Sequence, residues 1–472
     1  MAKILVIDLG TTYFKVCLFD REGRLIAAVQ VPVPIEPRPP GRCELDALRF
    51  EPLLCEAIGR LRDGDDCGLG DVEAVTFASQ TNSFLRLGAD DRPLVPLILW
   101  PDRRAAEYED QVQAWSSRPG FAAGRGVPRA SCQFMAAKLL WLAGRQPGTW
   151  RRTRRLCLIS DFHTFLWTGC HVTEAGTAGL TGLVDIHRLA FCDDAQERFG
   201  LPPAWLPRVV RAGTDLGPLE PQAADRLGLP RRCRFVVGCL DQYAGAIGAG
   251  NVAAGGLSET TGTVLATVRC SDRYRPQPPP VFQGPAFAPG LYYQMVFGEV
   301  SAACLEWYRR QLPDAPDFQQ LTALAEGIEP GAEGLRLRAG TPPGSVAAAF
   351  EGIGPGHGRG HCVRAILEAV SVALRDQVAC LAGQRGAAEV RSAGGAARSD
   401  AWLQIKADLL GRPFLATECP EVTSLGSAIL AEAALGGAGV GQVAAGWVRP
   451  RRRYDPDPER HRRYNNLFPG GA

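Results

Sequence analysis

A carboxylate followed by a glycine and two hydroxyls lies near the start of the chain. Asp8 lies near the end of an apolar run, and Gly10, Thr11 and Thr12 follow it after Leu9. A tight turn of this composition exposes backbone N–H groups and hydroxyls that suit phosphate oxygens, while a neighbouring carboxylate suits Mg²⁺. Lys15 adds a candidate charged contact to phosphate. The alternative is an ordinary hairpin, because Asp-x-Gly-Thr is also common turn chemistry.

A similar turn returns in the second half of the chain. Thr261, Gly262 and Thr263 lie within LSETTGTVLATV, which parallels the early stretch IDLGTTYFKVCL. The repeat predicts two halves that each begin with a phosphate-binding hairpin, and together the two hairpins would bind a polyphosphate. A polar hairpin without a ligand is again the alternative.

Asp241 and Gln242 follow a predicted strand and begin an Ala/Gly-rich helix. A helix N-terminus keeps a carboxylate ionised, which a general base requires. A helix cap is the competing interpretation, since Asp is a preferred N-cap residue.

A glycine turn, Gly394-Gly395-Ala396, joins a strand to a helix further along the chain. Without bulky side chains its backbone can approach a flat ligand or a phosphate closely, and the helix N-terminus favours anions. A plain strand-to-helix turn explains the same residues.

Polar groups that suit a polyhydroxylated ligand follow two strand ends of the first half. They are Gln80, Thr81 and Asn82 in one loop and Trp100, Asp102 and Arg104 in the next. Amides and a carboxylate bond hydroxyls, and an indole face packs on a sugar ring. Polar loop residues beside a core tryptophan are the alternative. Because the loop amides are neutral, we expect an uncharged ketose or polyol, with Arg103 and Arg104 as the groups that could pair a carboxylate instead.

The elements that position these residues alternate between strand and helix patterns. Strands are predicted at 3–9, 13–20 and 72–78, a helix at 47–62, and a second strand-to-helix unit at 389–410. This order predicts an α/β fold with mixed sheets flanked by helices. The glycine-rich stretch 250–256 is the best boundary, so the predicted domains are 1–252 and 253–472.

Length and composition limit the class of protein further. A chain of 472 residues is too long for one core. A net charge of +2 provides no strong positive field that would attract nucleic acid or an anionic membrane, and no apolar run is long enough for a membrane span.

The 15 cysteines contain no CxxC pair, and only four of the 52 cationic side chains are lysine. P-loop, GxSxG and GxGxxG motifs are absent from the sequence. We therefore expect a cytoplasmic protein that binds neither nucleic acid nor membrane; whether it forms a homodimer is left open.

In order along the chain, these residues resemble the FGGY carbohydrate kinases, whose fold is shared with actin and hexokinase. The segments that carry the resemblance are IDLGTTYFKVCLFD, SQTNSF, LILWPDRR, DFHTFLWTG, VVGCLDQYAGAIGAG, ETTGTV, GGAARSDAWLQIKADLLGRPF and SLGSAILA. The resemblance implies two actin-like (ribonuclease H-like) domains with ATP, Mg²⁺ and sugar in the cleft between them. It also assigns each candidate residue a role.

In that assignment Asp241 is the general base and Asp8 the Mg²⁺-site carboxylate, with Asp241 beside the metal. The phosphate hairpins are Gly10 to Thr12 with Lys15, and Thr261 to Thr263. The adenosine loop comprises Gly394, Gly395, Ala396 and Ser399. The sugar side comprises Gln80 to Asn82, Trp100, Asp102, Arg104, Asp241 and Gln242.

Departures from the family pattern concern the substrate. Xylulose kinases typically carry Gln-Met-His-Gly, and glycerol kinases Gln-Arg-Glu-Thr, where this chain has Gln80-Thr81-Asn82-Ser83. Val264 stands where the family has a small residue, and the segment from Gly340 to Gly360 is shortened. The resemblance implies transfer of the ATP γ-phosphate to a sugar hydroxyl. A nucleotide-dependent sugar sensor and an actin-like structural ATPase are the alternatives.

Overall fold

The structure is a computed structural model that describes residues 2–35, 41–64, 68–276, 281–338, 345–382 and 389–470. Within these ranges the helices are either too short or too polar to cross a membrane. Part of the segment predicted to be shortened, residues 340–344, lies outside the described residues.

The strands are numbered in chain order. They are β1 (Lys3–Leu9), β2 (Tyr13–Asp20), β3 (Leu25–Pro32), β4 (Glu44–Leu45), β5 (Val72–Ser79), β6 (Phe84–Leu87), β7 (Leu97–Ile98), β8 (Arg155–Leu158), β9 (Val172–Glu174), β10 (Val184–Asp185), β11 (Ala190–Phe191), β12 (Arg208–Val210), β13 (Asp215–Pro218), β14 (Arg234–Val236), β15 (Cys239–Leu240), β16 (Leu257–Thr261), β17 (Leu265–Ser271), β18 (Phe282–Pro285), β19 (Tyr292–Gly298), β20 (Arg336–Leu337), β21 (Phe350–Glu351), β22 (Val390–Ala393), β23 (Phe414–Thr417) and β24 (Pro450–Tyr454).

The α-helices are numbered in the same way. They are α1 (Phe50–Arg62), α2 (Glu109–Ser116), α3 (Phe121–Arg125), α4 (Met135–Arg145), α5 (Pro147–Arg152), α6 (Ile159–Thr168), α7 (Ala175–Gly179), α8 (Asp193–Phe199), α9 (Pro221–Leu227), α10 (Asp241–Gly248), α11 (Ala302–Arg310), α12 (Phe318–Ala323), α13 (Val346–Ala349), α14 (Arg359–Ala382), α15 (Asp400–Leu410), α16 (Val422–Gly436), α17 (Val440–Trp447) and α18 (Pro458–Leu467).

The chain divides into two compact units. Unit 1 comprises Met1–Gly248, Asp272–Tyr293 and Thr423–Trp447, and unit 2 comprises Ala249–Ser271, Gln294–Val422 and Val448–Ala472. Helix α16 belongs almost wholly to unit 1, where a Cβ at Gly426 would lie 1.8 Å from the carbonyl oxygen of Ala244. Only glycine permits that approach, so a residue far along the chain supports helix α10. The predicted boundary at residue 252 stays a prediction.

The main sheet of unit 1 is mixed. Its strand order is β13-β14-β5-β1-β2-β3, and β15 also pairs with β5. Strands β1 and β2 are antiparallel, whereas β5 runs parallel to β1, β14 and β15. The parallel strands end at one edge, and the polar residues that follow them meet there.

The main sheet of unit 2 repeats the local pattern. Its order contains β17-β16-β22-β23-β24, with β16 and β17 antiparallel and β16, β22 and β23 parallel. Helices α14 and α15 pack together in this unit, and α14 also contacts β17. Mixed sheets flanked by helices occur in both units, which confirms the predicted fold class.

Helix α1 illustrates how the sequence pattern sets the packing. Its apolar residues recur at helical spacing, and Phe50, Leu54, Ala57 and Leu61 are buried in the core of unit 1. Phe50 contacts Phe14 of β2 edge to face, with ring centroids 5.6 Å apart. This packing covers one face of the sheet and leaves the strand ends clear for polar residues.

Candidate active site

Three candidate polar residues of unit 1 lie at the ends of neighbouring parallel strands. Asp8 pairs in register with Ala78, and Leu240, which precedes Asp241, pairs with Ser79, which precedes Gln80. A Cβ at Gly238 would lie 1.6 Å from the Phe77 carbonyl oxygen, so glycine is required for the chain to pass β5 here. The geometry therefore brings Asp8, Gln80 and Asp241 to one edge of the sheet.

The first hairpin, between β1 and β2, is held by the side chain of Gln80. The buried Gln80 amide donates to the carbonyl oxygens of Leu9 at 3.2 Å and Gly10 at 3.0 Å. Its Oε1 accepts from the hydroxyls of Thr11 at 3.2 Å and Ser83 at 2.8 Å. Gln80 thus fixes the turn that was predicted to bind phosphate. The Thr12 carbonyl oxygen accepts from the Val33 N–H, which anchors the far side of the turn.

Trp100 links the second polar loop to the same hairpin. Its indole Nε1–H donates to the Thr11 hydroxyl at 2.8 Å, and its backbone N–H donates to the Ser83 hydroxyl at 2.8 Å. The Trp100 side chain remains about a third exposed, at 36%. The side chain is therefore partly accessible beside the hairpin, and an exposed indole could pack on a sugar ring.

Electrostatics distinguish Asp241 from its neighbours. Burial, and then the negative charge of Asp8, raise the pKa of Asp241 to about 7. Its Oδ1 accepts from the Gln242 N–H at 2.7 Å, which favours the ionised form. Asp8 lies opposite Lys15 in the hairpin register. The charge of Asp8 thus acts on Asp241 at this strand edge and adds to the effect of burial on its pKa.

Thr81 and Asn82 face the chain's own backbone. The Thr81 hydroxyl donates to the Thr177 carbonyl oxygen at 2.7 Å, and the Asn82 amide donates to that of Leu180 at 3.1 Å. Asn82 Oδ1 also accepts from the Met135 N–H at 2.9 Å, and its φ of 60° lies in the left-handed region. These bonds shape the loop; sugar contact by either side chain stays a prediction.

Asp102 and Arg104 form a buried charge cluster with Glu44. Arg104 donates to Asp102 through Nε and through a terminal nitrogen, both at 2.8 Å, and it also pairs with Glu44. Burial would raise the pKa of Asp102, but hydrogen bonds from Arg104 and Cys43 lower it overall. The cluster anchors the loop that carries Trp100, and sugar contact by these two residues stays a prediction.

Two residues that the sequence analysis did not single out support this region. The buried Lys138 ammonium donates to the carbonyl oxygens of Leu99 at 3.0 Å and Trp100 at 2.9 Å. Burial lowers its pKa to about 7. The buried carboxylate of Glu174 caps α7 through the N–H groups of Gly176 and Thr177 and also accepts from the Leu240 N–H. Lys138 is one of only four lysines among the 52 cationic residues, and this rarity could have drawn attention to it.

The second hairpin, between β16 and β17, is anchored inside unit 2. The Gly262 N–H donates to the Val264 carbonyl oxygen at 3.1 Å, which closes the turn. The hydroxyl of Ser301, the N-cap of α11, donates to the Thr263 carbonyl oxygen at 2.7 Å. Thr261 is fully buried, whereas Thr263 is exposed. The turn thus offers Gly262 and Thr263, not the Thr261 side chain, to solvent.

Below this hairpin lies an ion pair that the sequence did not indicate. Lys406 of α15 donates to Glu259 Oε1 at 2.7 Å and to the Thr261 hydroxyl oxygen at 2.9 Å. Glu259 and Lys406 are both buried. Burial lowers the pKa of Lys406, and the charge of Glu259 acts in the opposite direction.

The glycine turn after β22 has the predicted open backbone. Gly394 has φ of 81°, and a Cβ there would approach Thr260 Cγ2 at 3.1 Å. Gly395 is exposed with open space beside it, and Ala396 is buried within the short 3₁₀ helix Gly395–Arg398. Ser399 is the N-cap of α15, and its hydroxyl accepts from the Trp402 N–H at 3.2 Å.

A surface pocket of about 420 Å³ adjoins this turn. Its lining includes Gln319, Glu326, Arg398, Ser399 and Arg451. A smaller pocket of about 80 Å³ also adjoins the turn and includes Gly394, Thr417 and Cys419. Open space therefore flanks the residues that were predicted to contact adenosine.

Comparison with known proteins identifies the class. The N-terminal domain of the FGGY family of carbohydrate kinases matches residues 3–248, and the C-terminal domain of that family matches residues 228–435. Because these matches span most of the sequence, the chain belongs to the FGGY family of carbohydrate kinases.

Individual relatives agree over nearly the full length. Xylulose kinase of Bacillus subtilis is 25% identical over 99% of this chain and 95% of its own. Glycerol kinase of Aromatoleum aromaticum is 29% identical over 97% of this chain and 95% of its own. The crystal structure of xylulose kinase from Lactobacillus acidophilus has the same fold, with a TM-score of 0.89, 22% identity and coverage of 99% of this chain and 96% of that one. The protein is a carbohydrate kinase that acts on a sugar or polyol, as the sequence predicted.

Proposed function

We propose that this kinase transfers the γ-phosphate of ATP to a hydroxyl of a small uncharged ketose or polyol, with Asp241 as the general base. The observation that supports the proposal best is the meeting of Asp8 and Asp241 at one strand edge, where the charge of Asp8 contributes to raising the pKa of Asp241. A carboxyl group with a pKa near neutrality is suited to taking a proton from a hydroxyl as phosphate is transferred.

Magnesium fits the donor set of this strand edge. Two carboxylates that repel each other are stabilised by a cation, and Mg²⁺ is commonly held by one or two carboxylates together with substrate phosphates and water. Among the described residues no cluster of three or more His, Cys, Asp or Glu side chains forms a complete protein cage. We therefore assign Asp8 as the direct or water-mediated ligand, with Asp241 beside it. Bound there, Mg²⁺ would neutralise charge on the phosphates.

The remaining candidate residues have positioning and binding roles in this mechanism. Asp241 orients the acceptor hydroxyl and accepts its proton. The Thr11–Thr12 turn binds phosphate oxygens through its backbone N–H groups, and the second turn does so through the exposed Thr263, since the Gly262 N–H already donates to Val264. Lys15 is a further cation. Phosphoryl transfer depends on such positioning and charge neutralisation more than on covalent help from the protein. The open turn from Gly394 to Ser399, with its flanking pockets, is assigned to adenosine.

An uncharged substrate is supported by the state of Arg104. That guanidinium is engaged by two buried carboxylates, Asp102 and Glu44, and therefore has little capacity left to pair a sugar acid. The named relatives include a xylulose kinase and a glycerol kinase, which supports a ketose or a polyol. Trp100 and Asp241 are the sugar contacts that we assign most directly, with Gln80, Thr81, Asn82 and Gln242 shaping the same region.

We further propose that the enzyme is cytoplasmic and acts on small molecules, without nucleic acid or membrane partners. The net charge of +2 supports the absence of nucleic-acid and anionic-membrane partners. Equilibrium sedimentation would establish whether it is a monomer or a homodimer.

A panel of ketoses, aldoses, polyols and sugar acids, tested for sugar-dependent ADP release with and without Mg²⁺, tests the proposal. We expect Mg²⁺-dependent turnover with one or a few neutral members of the panel. Nucleotide and sugar binding without turnover would instead identify a sugar sensor. Assembly into filaments with ATP, without any effect of sugar, would identify a structural ATPase.

A further inference from the structure

The buried ion pair of Glu259 and Lys406 has no direct part in the proposed phosphoryl transfer. The two residues come from β16 and α15, and their side chains are fully buried, with Lys406 Nζ 2.7 Å from Glu259 Oε1. Burying two charges is costly, and an apolar pair of similar volume would often serve stability equally well. The position of this pair, below a phosphate-binding turn, therefore calls for a reason other than stability.

The hydrogen bonds of Thr261 give that reason. Its hydroxyl donates to Glu259 Oε2 at 2.6 Å and accepts from Lys406 at 2.9 Å. A threonine hydroxyl has one proton and two lone pairs, so this proton is not available to a phosphate oxygen. The ion pair thus fixes the rotamer of Thr261 and, through it, the end of β16 from which the turn begins.

Further bonds make the arrangement rigid. The Ser392 hydroxyl from the neighbouring strand β22 donates to Glu259 Oε1, so both carboxylate oxygens are occupied. The Lys406 ammonium also lies 5.1 Å from the centroid of the Trp402 ring. On the far side of the turn, Ser301 holds the Thr263 carbonyl oxygen. Gly262 is therefore set between two anchored residues.

We propose that Glu259 and Lys406 are positioning residues for the nucleotide, which hold the Gly262–Thr263 turn in the geometry that binds the ATP phosphates. This inference rests on the proposed function. Neither side chain touches substrate, since both are buried beneath the turn. A small displacement of a phosphate-binding group can cost about 100-fold in rate, so the loss of the pair should be visible in kinetics.

Three variants test the proposal: Lys406→Met, Glu259→Gln and the double variant that combines them. Each single variant leaves one buried charge without its partner and should unfold more easily, whereas the double variant should recover much of the lost stability. We expect kcat/KM for ATP to fall about 10- to 100-fold in all three, with KM for the sugar unchanged. A role in stability alone predicts the opposite for the double variant, namely recovery of ATP kinetics together with stability.

A second buried pair in unit 2 provides the matched control. Arg364 and Glu368 of α14 lie 2.8 Å apart and bond Tyr464 of α18 rather than a residue of the hairpin. The double variant Arg364→Met with Glu368→Gln should change stability and leave ATP kinetics as in the wild type. Wild-type ATP kinetics in a folded Glu259→Gln, Lys406→Met protein would overturn the positioning role.

Measurements on the wild-type protein distinguish failure of the positioning role from failure of the sugar kinase assignment. If the wild type phosphorylates no sugar but binds ADP with Mg²⁺ in calorimetry, the sugar kinase assignment fails, and the positioning role is judged from ADP affinity in the double variant. A tenfold or greater loss of ADP affinity there supports it, and unchanged affinity overturns it. A wild type that binds no nucleotide would overturn both.

Discussion

The two hairpins of this kinase have similar sequences but are held in different ways. In unit 1 the β1–β2 turn is fixed by the neutral amide of Gln80, and the strand carboxylate, Asp8, lies partly exposed at the sheet edge. In unit 2 the β16–β17 turn is fixed by a buried ion pair, and the strand carboxylate, Glu259, is fully enclosed. The strand carboxylate is thus partly exposed in one unit and enclosed among hydrogen-bond donors in the other.

The difference follows from the partners that each fold supplies. Glu259 receives hydrogen bonds from Lys406, Thr261 and Ser392, which satisfy both of its oxygens. At the corresponding edge of unit 1, the charge of Asp8 contributes to raising the pKa of a second carboxylate, Asp241. Two like charges favour a bound cation, whereas a carboxylate with three donors needs none.

The largest expected effect is on turnover, from the carboxylate that we assign to chemistry. Asp241→Asn keeps the size of the side chain but removes the base, so kcat should fall by about 10²- to 10⁴-fold. Melting temperature and ADP affinity should stay near wild type, because Asn can still accept from the Gln242 N–H. Rapid-quench measurement of sugar phosphate formation checks this, and wild-type turnover would reduce Asp241 to a residue at the start of a helix.

The next largest effect is on the free energy of unfolding, which we expect to differ between variants of the buried lysines of the two units. Lys406→Met leaves Glu259 as a buried charge without its cation, which should lower the free energy of unfolding by about 3–5 kcal/mol. Lys138→Met removes bonds only to the carbonyl oxygens of Leu99 and Trp100, and about 1–3 kcal/mol is expected. Urea unfolding of both variants measures the difference. Equal losses would mean that the ion pair of unit 2 is no more important to folding than the neutral contacts of unit 1.

A smaller effect concerns the neutral anchor of the first hairpin. Gln80→Ala leaves the Leu9 and Gly10 carbonyl oxygens without its amide, at a cost of about 1–3 kcal/mol. Amide hydrogen exchange at Val33, whose N–H donates to the Thr12 carbonyl oxygen, should accelerate, while exchange at Gly262, whose N–H closes the second turn, should not change. Gln80→Glu is a control of similar size, since a carboxylate cannot donate to those carbonyls and should loosen the same turn. Unchanged exchange in both variants would contradict the anchoring role of Gln80.

The smallest effect is a pH dependence of stability that originates at Lys138. Burial lowers the pKa of its ammonium from the usual 10.5 to about 7. Between those values the unfolded chain binds the proton and the folded chain does not, so the free energy of unfolding should rise with pH. Relative to Lys138→Met, the wild type should gain at most about 1.4 kcal/mol per pH unit. Urea unfolding of both proteins from about pH 6.5 to about pH 9 measures this slope, and a flat difference would show that Lys138 keeps its usual pKa.

The sequence by itself determined the local elements and the carboxylates they present. Short, nearly continuous apolar runs define β1 and β5, and Asp8 and Asp241 come where apolar runs stop. The glycines of both hairpins and of the turn at Gly394 are local signals as well. The resemblance carried by these segments was sufficient to indicate a carbohydrate kinase, and the family matches confirm it.

Only the tertiary structure decided what each polar side chain bonds. The Gln80–Asn82 loop was predicted to bind sugar, yet the Asn82 amide bonds Leu180, 98 residues away, and Gln80 bonds Gly10, 70 residues away. Glu259 and Lys406 are 147 residues apart, and nothing in the sequence near either residue indicates the other. Such pairs form because the sheet and helices bring distant residues into a water-excluded core, where a polar group must find whichever partner the fold supplies.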